Sequence, residues 1–137
     1  MKLYADEAGH RTIRALDVLV ISALARVEVP AALWRKARAG ELADAAASTL
    51  VGAFELDFHG DHHSDPRFTI IAATDPVLVA AAQEAARHAL RAYDAVQLAS
   101  ALAVREVDPR CDGFACFDAE LQRAASRAGF TLVPRAD

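Results

Sequence analysis

Over residues 91–102 apolar side chains fall almost all the way round a helical cylinder, and the polar Asp94, Gln97 and Ser100 interrupt them at every third position. A helix of that kind is usually a buried one. Its polar residues form one drifting stripe near the helix start rather than a broad solvent face. An ionised carboxylate in a packed element is costly unless it is hydrogen-bonded, paired with a cation or bound to metal, so Asp94 needs a partner. The choices are a structural cap, a buried ion pair or a metal ligand.

The same patterning predicts the other elements. A short amphipathic start leads to a helix end and turn at Asp6-Glu7-Ala8-Gly9, then a helical segment over 10–16 and a β-branched run over 18–21 that suits a strand buried on both faces. Ser22 is placed to cap a helix over 23–39 that ends at Gly40 and carries Pro30 as a potential kink. Leu42, Ala46, Leu50, Ala53 and Phe54 mark the core stripe of a further helix over 42–58, which makes an αα-hairpin with its predecessor. The polar turn-rich loop over 59–66 leads to a strand over 68–72. Thr74-Asp75-Pro76 starts a helix that runs to about His88, with a capping hydroxyl, an acidic first turn and a proline whose missing donor does no harm. After the central helix, which ends near Val107, come the turn Asp108-Pro109, a strand over 113–117, a helix over 118–128 closed by Gly129, and a last short strand over 131–133. Strands alternating with helices imply an α/β fold on a parallel sheet.

Composition narrows the class. A chain of 137 residues, 54% hydrophobic and 25% charged, has the makings of a single globular domain over 1–137 with a real core. With 15 basic against 19 acidic residues and a net charge of -4, no global field attracts nucleic acid, so any RNA contact rests on local basic patches. Cys111 and Cys116, with no signal-peptide pattern and no apolar run long enough to span a bilayer, read as free thiols in small core positions of a cytoplasmic protein. The loop His59-Gly60-Asp61-His62-His63-Ser64-Asp65-Pro66 is rich in zinc-type ligands but faces no second cluster in sequence, and reads as a solvated turn.

Three carboxylates stand out by position. Glu28 lies in the first turns of a helix after a strand, Asp118 directly after another strand, and Asp94 near the start of the central helix. Ligands of open α/β sheets bind outside the carboxyl ends of strands, where chain geometry places Glu28 and Asp118. Carboxylates without histidine or cysteine favour a hard ion, Mg²⁺ or Mn²⁺, which would activate water and offset phosphodiester charge. Singly, Asp118 also reads as an N-cap and Glu28 as a dipole-favoured helix residue.

The runs Ser22-Ala23-Leu24-Ala25-Arg26-Val27-Glu28-Val29-Pro30-Ala31-Ala32-Leu33, Leu90-Arg91-Ala92-Tyr93-Asp94-Ala95-Val96-Gln97-Leu98-Ala99-Ser100-Ala101 and Phe117-Asp118-Ala119-Glu120-Leu121-Gln122-Arg123-Ala124-Ala125 resemble, in order and spacing, the successive motifs of PIN-domain ribonucleases of the VapC toxin type. The resemblance spans nearly the whole chain. It implies a three-layer α/β/α sandwich on a parallel sheet, with Glu28, Asp94 and Asp118 as catalytic metal-site residues for Mg²⁺ or Mn²⁺. It also implies cleavage of single-stranded regions of RNA, a homodimer, and a cognate antitoxin protein that blocks the cleft. In such a site Arg91, Arg35, Lys36 and Arg38 are candidates to hold RNA phosphates. Tyr93 and Trp34 read as core or interface residues, with base stacking as the other option.

The chain departs from that family in two places. Met1-Lys2-Leu3-Tyr4 resembles the tail of the family's opening pattern, so the central first strand and its aspartate are absent from the expected fold. Its loss would leave neighbouring strands with unpaired ladder groups. Cys116 stands where the family often has Thr or Ser, which alters the hydrogen bonding around the metal ligands. A catalytically inactive module that binds only an antitoxin or a sister toxin is the alternative expectation.

Overall fold

The computed structural model describes Tyr4, residues 10–14, Leu16 and residues 18–133, with the backbone alone at residues 10 and 12. The helix end and turn expected over 6–9 lie outside the described residues. The element order is α1 (His10–Arg14), β1 (Leu19–Ser22), α2 (Ala25–Arg38), α3 (Asp44–His59), β2 (Phe68–Ile71), α4 (Asp75–His88), α5 (Ala92–Val107), β3 (Gly113–Ala115), α6 (Ala119–Arg127) and β4 (Thr131–Val133). The fold is mixed α/β. Among the described residues the strands make two two-stranded sheets, β1 with β2 and β3 with β4, rather than one continuous sheet. Strands β3 and β4 run parallel with Phe114 opposite Leu132. None of the described helices is long and apolar enough to cross a membrane.

The chain divides into two compact units, residues 1–19 with 23–70, and residues 20–22 with 71–137. In the first unit α2 packs on α3 as the expected helical hairpin. Leu33 and Phe54 are the large side chains closed from solvent there, and Phe54 stacks obliquely against Phe58 and Phe68 with centroids 5.7 and 6.1 Å away. Burying such aromatic rings is worth about 3 kcal/mol each. Tyr4 meets the edge of Phe54 and donates a 2.6 Å hydrogen bond to Asp57 Oδ2; burial and this bond raise its phenol above the usual range.

Several local expectations change. Ser22 does not cap α2: it stays in β1, and the helix starts at Ala25 behind Leu24, which makes no side-chain cap bond. Strand β1 is not buried on both faces, being half-buried along most of its length with Val18 exposed just before it. Helix α2 runs through Pro30, its sixth residue, where the ring cannot donate to the carbonyl of Arg26. The core face of α3 is Ala47, Phe54 and Phe58, turned from the expected stripe, of which Phe54 alone is buried. Tyr93 and Trp34 are exposed rather than core.

In the second unit α4 packs on α5, α6 on α5 and on β4, and Phe114 faces Phe130 across the β3–β4 pair. The central helix buries Ala95, Val96, Leu98, Ala99 and Ser100, as its nearly all-round apolar pattern predicts, but leaves Tyr93 and Val107 exposed at its ends. Helix α4 begins after Thr74 with Pro76 in its first turn, although the threonine hydroxyl makes no cap bond. It ends on Ala89 at φ 54, a left-handed turn that costs an alanine about 1 kcal/mol relative to glycine. Strand β3 stops at Ala115, two residues short of expectation, and the next carbonyl, that of Cys116, accepts from Gln122 Nε2 at 2.9 Å.

Candidate functional site

Asp94 and Asp118 belong to the second unit and reach their positions from opposite directions. Asp94 is the third residue of α5, in the first turn, where the helix dipole favours a negative charge. Asp118 lies three residues beyond the end of β3 and caps α6. Its Oδ1 accepts from the backbone N–H groups of Glu120 and Leu121, both at 2.9 Å. The capping reading of Asp118 therefore holds, and it fixes the carboxylate at the strand-to-helix corner.

Asp94 senses the neighbouring carboxylate. Partial burial raises the Asp94 carboxyl above its ordinary range, and the charge of Asp118 adds to the rise; Arg91 opposes it and Glu120 reinforces it. Asp94 makes no hydrogen bond or ion pair among the described residues, so neither a cap nor a close ion pair satisfies it. Arg91, the residue before α5, is exposed and lies one turn behind Asp94. It softens the acidic field without closing it.

Cys116 borders the same corner. Its thiol donates weakly to the Asp118 backbone carbonyl at 3.9 Å, and burial together with the neighbouring carboxylates pushes it up to about 11. It stays protonated at neutral pH and is a poor nucleophile. Both cysteines are free thiols, and Cys116 is the buried one.

The other expected residues lie elsewhere in the chain. Glu28 sits in the first turn of α2, within the first unit, and engages a partner of its own. Arg35, Lys36 and Arg38 occupy the last turn of α2. Lys36 pairs with Glu41 at 2.9 Å, while Arg35 and Arg38 are exposed. Asp94 and Asp118 are thus brought together in one unit. Among the described residues no group of three or more His, Cys, Asp or Glu side chains is placed to hold a metal ion.

Glu120 is the residue the sequence reading passed over. It shares the first turn of α6 with the backbone that Asp118 caps, and its charge adds to the field at Asp94. The signal was present in the spacing, since an acid two residues beyond a capping aspartate starts out on the same turn. The histidine-rich loop behaves as expected: residues 61–67 are exposed, and Asp61 Oδ1 accepts from the backbone of His63 and Ser64 and from the Ser64 hydroxyl.

The acidic corner has the donor chemistry of a hard-ion site. Mg²⁺ commonly takes one or two protein carboxylates and completes its shell with water and substrate phosphate, so Asp94 and Asp118 fit it without a third ligand from the same unit. No protein-family model matches the chain, and no curated protein matches it.

Proposed function

We propose that the chain is a PIN-like, VapC-type endoribonuclease that hydrolyses RNA with Mg²⁺ or Mn²⁺ in the cytoplasm. The observation that carries this reading is the effect of the Asp118 charge on Asp94, with Asp94 left without a hydrogen-bond partner among the described residues. Two carboxylates held near each other without a cation are repulsive, and such an arrangement is stabilised when a divalent ion joins it. The mixed α/β order of elements and the parallel pairing of β3 with β4 support the α/β class that this reading requires.

In this reading Asp94 and Asp118 hold the ion, and Glu28 is a direct or water-mediated ligand contributed by α2. The bound ion supplies a water of lowered pKa and charge stabilisation at the scissile phosphate. The chain's own residues do the rest. Asp118 keeps its carboxylate aimed by accepting two backbone bonds through Oδ1. Asp94 stays free of competing donors, and Arg91 holds a phosphate at the mouth of the corner. Arg35, Lys36 and Arg38 extend the phosphate contacts, and a homodimer and an antitoxin that covers the acidic corner complete the proposal.

The test is cleavage of a labelled RNA with Mn²⁺ present and after its removal by EDTA. The reading requires cleavage that disappears with the metal and in Asp94→Asn. RNA left intact by the folded wild-type chain under both conditions, with partner binding retained, would instead identify an inactive binding module.

A further inference from the structure

Beside the acidic corner, in the same unit, lies a recess of about 220 Å³ between the end of α4 and one face of α6. Its lining includes Glu120, Arg123, Ala124 and Arg127, which recur at the three- and four-residue spacing that puts side chains on one helix face. His88 and Ala89 form the opposite wall, and Ala124, 2% exposed, projects only a methyl into the lining. At about 30 Å³ per water molecule, the space accommodates a phosphate group with part of its hydration shell.

Its charges favour an anion. Two guanidinium groups line the recess against the single carboxylate of Glu120. Arg127 makes no hydrogen bond or ion pair among the described residues. Arg123 reaches Glu120 only at 3.9 Å, with both side chains more than half exposed, so little holds it from a better partner. Arginine's planar fork suits phosphate oxygens, and two arginines one turn apart can grip the same group from two sides.

The opposite wall is held by the His88–Glu84 pair: the His88 side chain is 8% exposed and its Nε2 lies 3.2 Å from Glu84 Oε2.

We propose that this recess is a phosphate subsite that holds a backbone phosphodiester of the RNA strand adjacent to the one cleaved at Asp94 and Asp118. The assignment of the strand as RNA rests on the ribonuclease reading. Glu120 belongs both to the recess and to the acidic field at Asp94, which makes the recess a neighbour of the corner.

Anisotropy of a short fluorescein-labelled single-stranded RNA, titrated with the full chain in EDTA so that nothing is cut, tests it. Arg123→Ala/Arg127→Ala should bind about tenfold more weakly, with the dependence of log affinity on log salt shallower by about 0.7 for the single phosphate released. Arg123→Lys/Arg127→Lys should keep the salt slope and lose part of the affinity, because lysine retains charge without the fork. Arg11→Ala/Arg67→Ala, an equal charge loss at exposed positions of the first unit, should change binding by no more than about twofold. Circular dichroism melting confirms that each variant is folded. Wild-type affinity and slope in the double alanine variant, with cleavage still dependent on Asp94, would overturn the subsite and leave the ribonuclease reading standing. Failure of the folded wild type to bind RNA at all would overturn both.

Discussion

Asp61 and Asp94 are two acidic residues with opposite surroundings. Asp61 lies in the loop that carries most of the chain's histidines, the stretch that on composition alone most invites a metal. Its Oδ1 accepts three hydrogen bonds, two from backbone N–H groups and one from a hydroxyl, and the His63 backbone bond leads in holding its carboxyl below the usual range. Asp94 lies in an apolar helix with no such donors, and burial and the neighbouring carboxylates raise it. A carboxylate already served by its own loop has little to gain from a cation. One that is half-desolvated beside like charge gains a great deal. The contrast explains why a ligand-rich loop can be an ordinary turn while a sparse pair of aspartates is the better candidate for the proposed chemistry.

The largest expected effect separates these two residues by activity. Asp94→Asn should lower metal-dependent RNA cleavage by about a hundredfold or more, since it removes a charged ligand without changing shape. Asp61→Asn should leave cleavage unchanged, and equal losses in the two variants would erase the distinction between them. At Asp118 the ligand and the cap can be pulled apart. Asp118→Asn and Asp118→Ala should both weaken Mn²⁺ binding by about tenfold or more in calorimetry. Asparagine remains a good N-cap, so only the alanine variant should also lose about 1 kcal/mol of stability in urea unfolding. A smaller effect is expected at the border of the corner. With its thiol near 11, Cys116 should be alkylated in the folded chain about a hundredfold more slowly than an ordinary thiol, and equal labelling of both cysteines would contradict its placement.

Much of this arrangement could be read from residue patterns. The Thr74-Asp75-Pro76 start, the Gly129 stop and the all-round apolar run of α5 lie where local rules put them, because each depends on neighbours within one turn. What escaped depended on contacts distant in sequence or on competing local ones. Ser22 is a good cap by type, yet the strand keeps it. The β3 run stops early, and a side chain on α6 bonds the carbonyl just beyond its end. Tyr93 and Trp34 read as core or interface, and they are not core because their helices bury other faces. For the proposed site, position singled out Asp94 and Asp118, whereas Glu120 was hidden behind its more conspicuous neighbour. The recess at Arg123 and Arg127 emerges only when α6 is set beside the end of α4.

The two aspartates also predict opposite pH behaviour. Because the Asp94 carboxyl is raised, the folded chain keeps a proton that the unfolded chain has released, so Asp94 destabilises the fold as pH rises from the ordinary carboxylate range through its raised value. Asp61, held low, contributes stability above the ordinary range that is lost as pH falls through its depressed value. The most direct test of the central claim is a carboxyl ¹³C NMR titration of both residues in the absence and presence of Mg²⁺. The account predicts an Asp94 midpoint above the ordinary range that falls when Mg²⁺ is added, beside an Asp61 midpoint below it that does not move. An Asp94 midpoint at or below that of Asp61, or one that Mg²⁺ leaves in place, would contradict it.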